Sequence, residues 1–339
     1  MHSQRLELFA ICPPGLERWV ADEIREFGFR NIQIEKGGVS FVGHPLSANR
    51  SLRCPTRILQ RIARFPAPSF QALERGFRNL ELDAFGGVDP QATCSKSRLF
   101  HSGAVVERVQ RWVNTGKTAL FVRIHRDRCT VSIDTSGERL HRRGWRVENG
   151  PAPIRETLAN ILLRVAEWAP GEPLCDPMCG SGTFLIEAAH WAAGHQPGRH
   201  RRFACEKWVK TIAGAQPRQA IETLICGSDR SLETVELAQR NAERAEVNID
   251  VTQRDAAERL APTPEGLLIC NPPYGKRAKS PKAYAALGTL LRTEFANWRA
   301  GVIVTNEHAL KALGRPAKTL IEFQNGGIKL RYAVLEPKS

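Results

Sequence analysis

Residues 174–189 read LCDPMCGSGTFLIEAA, and this stretch decides the fold. A short apolar strand ends at Asp176, a tight turn with Gly180 and Gly182 follows, and a helix begins near Thr183. Glycines let the backbone approach a ligand closely, and a helix N-terminus offers unpaired N–H groups. The turn lacks the Gly-Lys-Ser/Thr of a P-loop and the glycine spacing of the dinucleotide fingerprint. The stretch therefore predicts either a ligand-binding turn of another kind or a plain strand-to-helix turn.

The sequence beyond this stretch alternates short apolar strands with helical segments. The predicted strands lie within TLICGSD (residues 223–229), NIDVTQRD (248–255), EGLLICNPP (265–273) and AGVIVTN (300–306). Strands that alternate with helices form βαβ units and a parallel sheet, so the second half is predicted to be an α/β domain with a mostly parallel sheet. In such sheets ligands bind beyond the carboxyl ends of the strands.

Two acids follow the predicted strands at the edge where a ligand would bind. Asp229 follows the second strand, where an acid is well placed to bind a ribose diol. Asp255 follows the third strand, where a carboxylate can accept a hydrogen bond from the exocyclic amine of adenine. Either acid alone is more often a helix N-cap. In this order after the glycine turn, the two acids favour a nucleoside-containing ligand.

The sharpest motif is CNPPYG, residues 270–275, directly after an apolar strand. Two consecutive prolines fix the backbone and remove two N–H donors. This leaves the Asn271 side-chain oxygen and the Pro272 carbonyl to accept both protons of a planar NH2 group, while Tyr274 can stack on the ring. The alternative is a proline turn with a core tyrosine.

The first half reads as an α+β region in two parts. In residues 1–65, LELFAIC is a predicted strand, residues 14–29 a helix, residues 32–43 two strands, and residues 50–66 a helix with a basic face. In residues 66–148, FQALERGFRNL and HSGAVVERVQRWV are predicted helices, and residues 119–137 are a hairpin that turns at His125–Arg128. The basic, then Gly- and Pro-rich stretch at residues 139–153 predicts a domain boundary, so a third domain spans residues 149–339.

Charge indicates a polyanionic partner. The chain carries 49 Lys and Arg against 35 Asp and Glu, for a net charge of +14. Residues 1–150 contribute 24 basic and 15 acidic side chains, so the first half holds most of the excess. Nucleic acid is the favoured partner, and a solvated basic surface is the alternative.

Composition excludes several other classes. Nine cysteines, an odd number without a C-x-x-C pair, argue against a disulfide framework and a zinc site, so no metal is expected. No apolar run approaches the roughly 18 residues of a membrane helix, and the N-terminus lacks a secretory signal. A cytoplasmic monomer without membrane contact is the expectation.

Taken together, DPMCGSGTFLIEAA, GSD, RDA and NPPYG resemble the class I S-adenosylmethionine-dependent methyltransferases of the amino-methylating Asn-Pro-Pro-Tyr group. More closely, the chain resembles bacterial 23S rRNA guanine-N2 methyltransferases that carry a THUMP RNA-binding domain. SKSRLFHSGAVVERV (residues 95–109) resembles part of a THUMP domain, and further similar stretches are PIRETLAN (153–160), FACEKW (203–208) and FQNGGIKLRY (323–332).

The resemblance implies a Rossmann-like methyltransferase domain at residues 149–339, a ferredoxin-like unit at residues 1–65 and a THUMP domain at residues 66–148. It implies that Asn271, Pro272, Pro273 and Tyr274 receive the target base. The residues implied to hold S-adenosylmethionine are Thr157, Asp176, Pro177, Cys179, Gly180, Gly182, Thr183, Asp229, Asp255 and Asn271.

Basic side chains of the first half are the candidates for RNA phosphate contacts. They are Arg53, Arg57, Arg61, Arg64, Lys96, Arg98, Arg139, Arg142, Arg143 and Arg146. Within this interpretation 23S rRNA is the preferred substrate and transfer RNA the alternative. The same box serves adenine-N6 methylation of nucleic acid and glutamine methylation of protein, and the basic first half argues most against the glutamine case. A non-catalytic RNA-binding or ribosome-assembly factor is the rival from another class.

Overall fold

The computed structural model describes residues 5–146, 154–210, 219–273, 280–325 and 327–337. The chain forms two units that alternate along the sequence. The first contains Met1–Cys12, Val20–Leu140 and Arg201–Ala215, and the second contains Pro13–Trp19, His141–His200 and Gln216–Ser339. Residues 201–210 therefore belong to the first unit, although they follow the segment at residues 141–200, which belongs to the second.

The first unit is built on a seven-stranded sheet. The elements up to residue 134 are β1 (Leu6–Ile11), α1 (Glu17–Glu26), β2 (Arg30–Glu35), β3 (Gly38–Gly43), α2 (Pro45–Ser51), β4 (Arg57–Pro66), α3 (Phe70–Phe77), β5 (Val88–Ser95), α4 (Ser102–Gln110), β6 (Thr118–His125) and β7 (Arg128–Asp134). The strand order is β2-β3-β1-β4-β7-β6-β5, and only β5 and β6 are parallel neighbours. Apolar side chains of α3 and α4 pack with those of β6 and β7 in one core.

The prediction of a basic helix over residues 50–66 is wrong. A short helix ends at Ser51, and residues 57–66 form β4, which pairs with β1 on one side and β7 on the other. Pro55 lies between the two elements and restricts the residue before it to extended backbone. The spacing of Arg57, Arg61 and Arg64 resembled a helix face, but pairing to two neighbouring strands decided the structure.

A β-bulge in β4 explains why the spacing of its arginines resembled that of a helix face. The pairing of β4 with β7 shifts register between Arg61 and Ala63, so β4 carries one extra residue there. An extra residue changes the alternation of side chains along a strand. Arg61 and Arg64 consequently reach the same two carboxylates, those of Glu7 and Glu35.

The predicted boundary at residue 65 falls at the end of β4. The two neighbours of this strand, β1 and β7, lie in different predicted domains but in one sheet. One sheet thus spans the two predicted domains at residues 1–65 and 66–148. The predicted boundaries themselves stay predictions. The hairpin expected at residues 119–137 is confirmed as β6 and β7, which turn at Arg126 and Asp127, both with positive φ.

The second unit has a mostly parallel sheet, as predicted. Its elements are α5 (Glu156–Val165), β8 (Leu174–Asp176), α6 (Thr183–Ala192), β9 (Ile225–Asp229), α7 (Leu232–Ala245), β10 (Asp250–Gln253), β11 (Leu267–Cys270), α8 (Ser280–Arg292), β12 (Arg299–Val304), α9 (Glu307–Ala312), β13 (Ala317–Asn325) and β14 (Ile328–Leu335). The strand order is β10-β9-β8-β11-β12-β14-β13. The first five strands are parallel, and β14 and β13 add an antiparallel edge.

Burial follows from this layered arrangement. All residues of β8 and β11 are buried, as a central parallel strand covered on both faces requires. Tyr284, Leu287 and Leu291 of α8 pack in one cluster with Cys270 and other strand residues. Among the described residues no helix is both long and apolar enough to cross a membrane.

Candidate active site

The site residues lie where the strand order of the second sheet reverses. From β8 the chain adds β9 and β10 on one side and β11 and β12 on the other. At such a switch point the carboxyl ends of neighbouring strands leave a crevice between diverging loops. Asp176 ends β8, Asp229 ends β9, and Asn271 directly follows β11. The structure therefore brings together the strand ends on which the three motifs lie.

The glycine turn after β8 is a fixed loop. The Met178 N–H donates to Asp176 Oδ1 at 3.0 Å, and the Cys179 N–H donates to the Ser228 carbonyl at 2.9 Å. Gly180 and Gly182 have φ of 54° and 79°, in the left-handed region that favours glycine. A Cβ at Gly182 would lie 3.2 Å from the Cβ of Ala238, so the loop also needs a small residue there.

Asp229 links the end of β9 to this loop. Its Oδ2 accepts a hydrogen bond from the Gly180 N–H at 3.2 Å, and its Oδ1 accepts one from the Ser231 N–H at 3.0 Å. Ser231 in turn caps α7 by accepting from the Thr234 N–H. Asp229 thus holds two backbone segments and still presents a half-buried carboxylate at the strand end.

Asp255 is an N-cap, the alternative that its position after a strand had left open. Its Oδ1 accepts from the Ala257 N–H at 2.9 Å, at the start of the short 3-10 helix Ala256–Glu258. The side chain is exposed. Capping uses one carboxylate oxygen and is compatible with a ligand contact through the other.

The Asn-Pro-Pro segment follows the buried strand β11 at its carboxyl end. Asn271 is half-buried, Pro272 is buried and Pro273 is exposed. Tyr274 lies outside the described residues, so its predicted stacking role stays a prediction.

Burial dominates the electrostatics around Asp176. Its removal from water raises the pKa of the Asp176 carboxyl to about 8, a shift that the nearby Asp229 adds to and the hydrogen bond from Met178 opposes. Burial likewise raises the pKa of the Cys270 and Cys179 thiols. These cysteines are therefore neutral, buried side chains.

We expect the Asp176→Asn substitution to remove a pH-dependent loss of stability. The pKa of the Asp176 carboxyl is about 8 in the folded protein and near 3.8 in the unfolded chain. Between pH 3.8 and pH 8 the unfolded chain has therefore released a proton that the folded protein retains. Wild-type stability therefore falls relative to Asp176→Asn as pH rises through that window, by about 1 kcal/mol per pH unit. Urea unfolding without cofactor at pH 5, 6.5 and 8 measures this.

The Asp255→Asn variant is the matched control for that experiment, since it removes an exposed acid from the same sheet edge. A stability difference between wild type and Asp176→Asn that stays constant from pH 5 to pH 8 contradicts the argument.

Thr157 lies in α5, beside a set of buried charges that the sequence analysis did not identify. Its hydroxyl is buried and has no hydrogen-bond partner among the described residues. The neighbouring Glu156 carboxylate lies 3.1 Å from Arg146 Nε, and Arg146 also donates to the Thr183 hydroxyl. Arg146 thereby connects the start of α5 to the start of α6, directly after the glycine turn.

A second buried pair lies deeper in the same unit. Arg143 Nη2 is 3.3 Å from Glu187 Oε2, and both side chains are at most 2% exposed. Asn160 of α5 donates to the same Glu187 carboxylate. Since buried charges require partners, this pair fixes the segment around residue 143 to α6 and α5.

Most of the arginines expected to contact phosphate are paired with acids instead. Arg61 donates to both oxygens of Glu35, at 2.8 and 2.9 Å, and Arg64 to Glu7 at 2.7 Å. The expectation is wrong for those whose side chains are buried, which are Arg53, Arg61 and Arg143. The ion pairs of Arg57 with Asp134 and of Arg146 with Glu156 argue against these two as well. No sequence pattern links these arginines to acids so far along the chain.

Exposed basic side chains remain candidates for phosphate contacts. Lys96, Arg98, Arg139 and Arg142 are exposed, and Arg64 is half-exposed. In the part of the chain that the structure describes, no three His, Cys, Asp or Glu side chains form a group that could hold a metal ion.

Comparisons with known proteins agree with this geometry. Residues 143–333 match the family described as the RMKL-like methyltransferase domain, and residues 7–59 match the RlmL ferredoxin-like domain. The chain is 32% identical to a Synechocystis protein named "Putative RNA methyltransferase slr0064", with 94% of both chains covered. It is also 32% identical to the ribosomal RNA large subunit methyltransferase K/L of Syntrophotalea carbinolica, covering 96% of this chain and 53% of that protein, so it spans about half of that relative.

A solved structure extends the agreement to the cofactor. SMU.472, crystallised with S-adenosylhomocysteine, superposes with a TM-score of 0.85 and 26% identity over the full length of both chains. Its fold is that of methyltransferases that use S-adenosylmethionine. On the match to residues 143–333 and the 32% identity across almost the whole length, the chain belongs to the RMKL-like methyltransferase family.

Proposed function

We propose that this protein transfers a methyl group from S-adenosylmethionine to the exocyclic N2 amine of a guanine in large-subunit ribosomal RNA. The observation that supports this most is the meeting of the Asp176 turn, Asp229 and Asn271 at one switch point of the sheet. The choice of large-subunit rRNA is supported by the name of one relative, and the choice of guanine N2 rests on the resemblance of the motif set alone.

The cofactor site is proposed along the ends of β8 and β9. Asp176 and the fixed loop through Gly182 would line the methionine part, with the buried hydroxyl of Thr157 as a further contact. Asp229 would accept hydrogen bonds from the ribose hydroxyls, and Asp255 would lie by the adenine. When bound, S-adenosylmethionine supplies an electrophilic methyl group on a sulfonium.

Asn271 and Pro272 are proposed to hold the target amine. The lone pair of an aromatic amine is delocalised into its ring, so the nitrogen is a poor nucleophile. The Asn271 side-chain oxygen and the Pro272 carbonyl would accept its two N–H protons, orient the nitrogen and stabilise the positive charge that develops on it. The rigid Pro-Pro backbone keeps these acceptors in place. A stacked base would have to leave its helix to reach them.

The basic first half and the relatives named for RNA methylation support RNA as the proposed substrate. The exposed Lys96, Arg98, Arg139 and Arg142 would supply phosphate contacts, and the resemblance of residues 66–148 to a THUMP domain is part of the same proposal.

The test is to incubate the protein and labelled S-adenosylmethionine with ribosomal and transfer RNA from cells that lack the gene, and to analyse the nucleosides by mass spectrometry. We expect label in N2-methylguanosine from large-subunit RNA. Label from transfer RNA would change the substrate, and label in N6-methyladenosine would overturn the base assignment. Absence of label from both pools, together with absence of cofactor binding, would favour a non-catalytic RNA-binding factor.

A further inference from the structure

Phe100 is the most exposed large apolar side chain among the described residues. It lies in residues 96–101, the loop that joins β5 to α4 in the first unit, and the residue is 70% exposed. Its neighbour Leu99 points the other way and is buried in the core. An aromatic ring directed to solvent beside a well-anchored residue contributes little to folding.

Hydrogen bonds hold this loop against the β6–β7 turn. Asp127 Oδ1 accepts from the Arg98 N–H at 2.8 Å, and the Asp127 N–H donates to Ser97 Oγ at 3.1 Å. Ser97 Oγ also donates to the Ser95 carbonyl at 2.9 Å. Because these hydrogen bonds fix the loop to the β6–β7 turn, Phe100 is presented by a pre-organised loop.

The exposed ring already has one aromatic neighbour. The Phe100 and His101 ring centroids lie 4.3 Å apart, with their planes inclined by 40°. A supported ring with an exposed face is the arrangement that proteins use to stack unpaired bases, since every base has a π-face.

The surroundings of the ring are basic. Arg98 is 77% exposed, and Lys96, Arg126 and Arg128 are exposed on the loop and on the adjoining hairpin. Asp127 is the acid among them, and its carboxylate and backbone are engaged by the loop. An apolar protein partner would not need this positive charge, whereas a nucleic-acid backbone would.

We propose that Phe100, supported by His101, stacks on an unpaired base of the RNA substrate while Lys96 and Arg98 contact the flanking phosphates. This inference rests on the proposed function, because it assumes that RNA is the substrate. It adds that the first unit recognises a single-stranded segment, since the faces of paired bases are covered by their neighbours in a duplex.

The test uses an RNA oligonucleotide with one 2-aminopurine, either single-stranded or annealed to its complement. We expect Phe100→Ala and Phe100→Leu to weaken single-strand binding about tenfold and to abolish the fluorescence quenching that stacking causes. Phe100→Tyr should stay within twofold of wild type, and duplex binding should be unchanged in all three. Ile34→Ala, an exposed apolar side chain of the same unit, is the matched control and should bind both forms like wild type.

Equal binding and quenching by Phe100→Ala and wild type would overturn the inference, as would an equal loss for single strand and duplex. Wild-type methylation of RNA, measured beside these titrations, separates the two proposals. If wild type methylates RNA but Phe100→Ala binds normally, only the stacking inference fails. If wild type neither binds nor methylates RNA, the proposed function fails with it.

Discussion

Replacing Asn271 by Ala should reduce methyl transfer by about 100- to 1000-fold, the usual effect of removing one group that stabilises charge in a transition state. The substitution removes the side-chain oxygen proposed to accept from the target amine, and Pro272 alone cannot orient both N–H groups. Single-turnover transfer of labelled methyl to RNA measures the loss.

Two controls keep that result interpretable. Calorimetric titration with S-adenosylhomocysteine establishes whether the cofactor site of Asn271→Ala is intact, and Asn79→Ala, which alters an exposed asparagine of the first unit, should transfer methyl at the wild-type rate. A rate for Asn271→Ala within threefold of wild type would refute the role proposed for this residue.

Replacing Arg143 by Ala should destabilise the protein by about 3–5 kcal/mol, because it leaves Glu187 buried without its main cationic partner. Denaturant unfolding followed by circular dichroism measures this. RNA affinity, compared at a temperature where both proteins are folded, should not change, since a buried guanidinium does not reach phosphate.

Arg142 provides the matched control, because it is the adjacent arginine and is exposed. Arg142→Ala should change stability by no more than about 0.5 kcal/mol. The double variant Arg143→Met, Glu187→Leu removes both charges and should recover most of the loss. A small effect of Arg143→Ala combined with weaker RNA binding would restore the interpretation of Arg143 as a phosphate contact.

The sequence was most informative where one local pattern determined structure. The strand ending at Asp176, the glycine turn and the helix after it were predicted together and are confirmed as β8, its loop and α6. The mostly parallel sheet was predicted from the alternation of short apolar strands with helical segments. These features depend on residues close in the chain, so a single stretch contains the information.

Features that depend on distant partners could not be predicted. Arg143 and Glu187 are 44 positions apart, and no pattern around Arg143 announces that an acid will meet it in the core. Arg61 likewise meets Glu35 because β4 joins a sheet, whereas its spacing with Arg57 and Arg64 resembled a helix face. Net charge could not reveal that several of these arginines are neutralised.

One missed element did carry a local signal. The hairpin of β13 and β14 pairs Asn325 with Ile328 across the sequence Gly326-Gly327, and Gly-Gly between two strand patterns is a hairpin indicator. The stretch FQNGGIKLRY therefore carries a local turn signal in addition to its resemblance to a family.

The placement of residues 201–210 constrains how such a chain can be recombined. The Cys205 N–H donates to the Thr135 carbonyl at 3.1 Å, and the rings of Trp208 and Phe85 pack edge to face at 5.2 Å. A gene fusion that replaces everything after residue 140 would introduce residues 201–210 from a relative without that relative's first-unit sheet, against which they pack. Swapping residues 141–200 and 216–339 between relatives, while residues 201–210 stay with their original first half, therefore requires three crossovers. The two units are inherited most safely together.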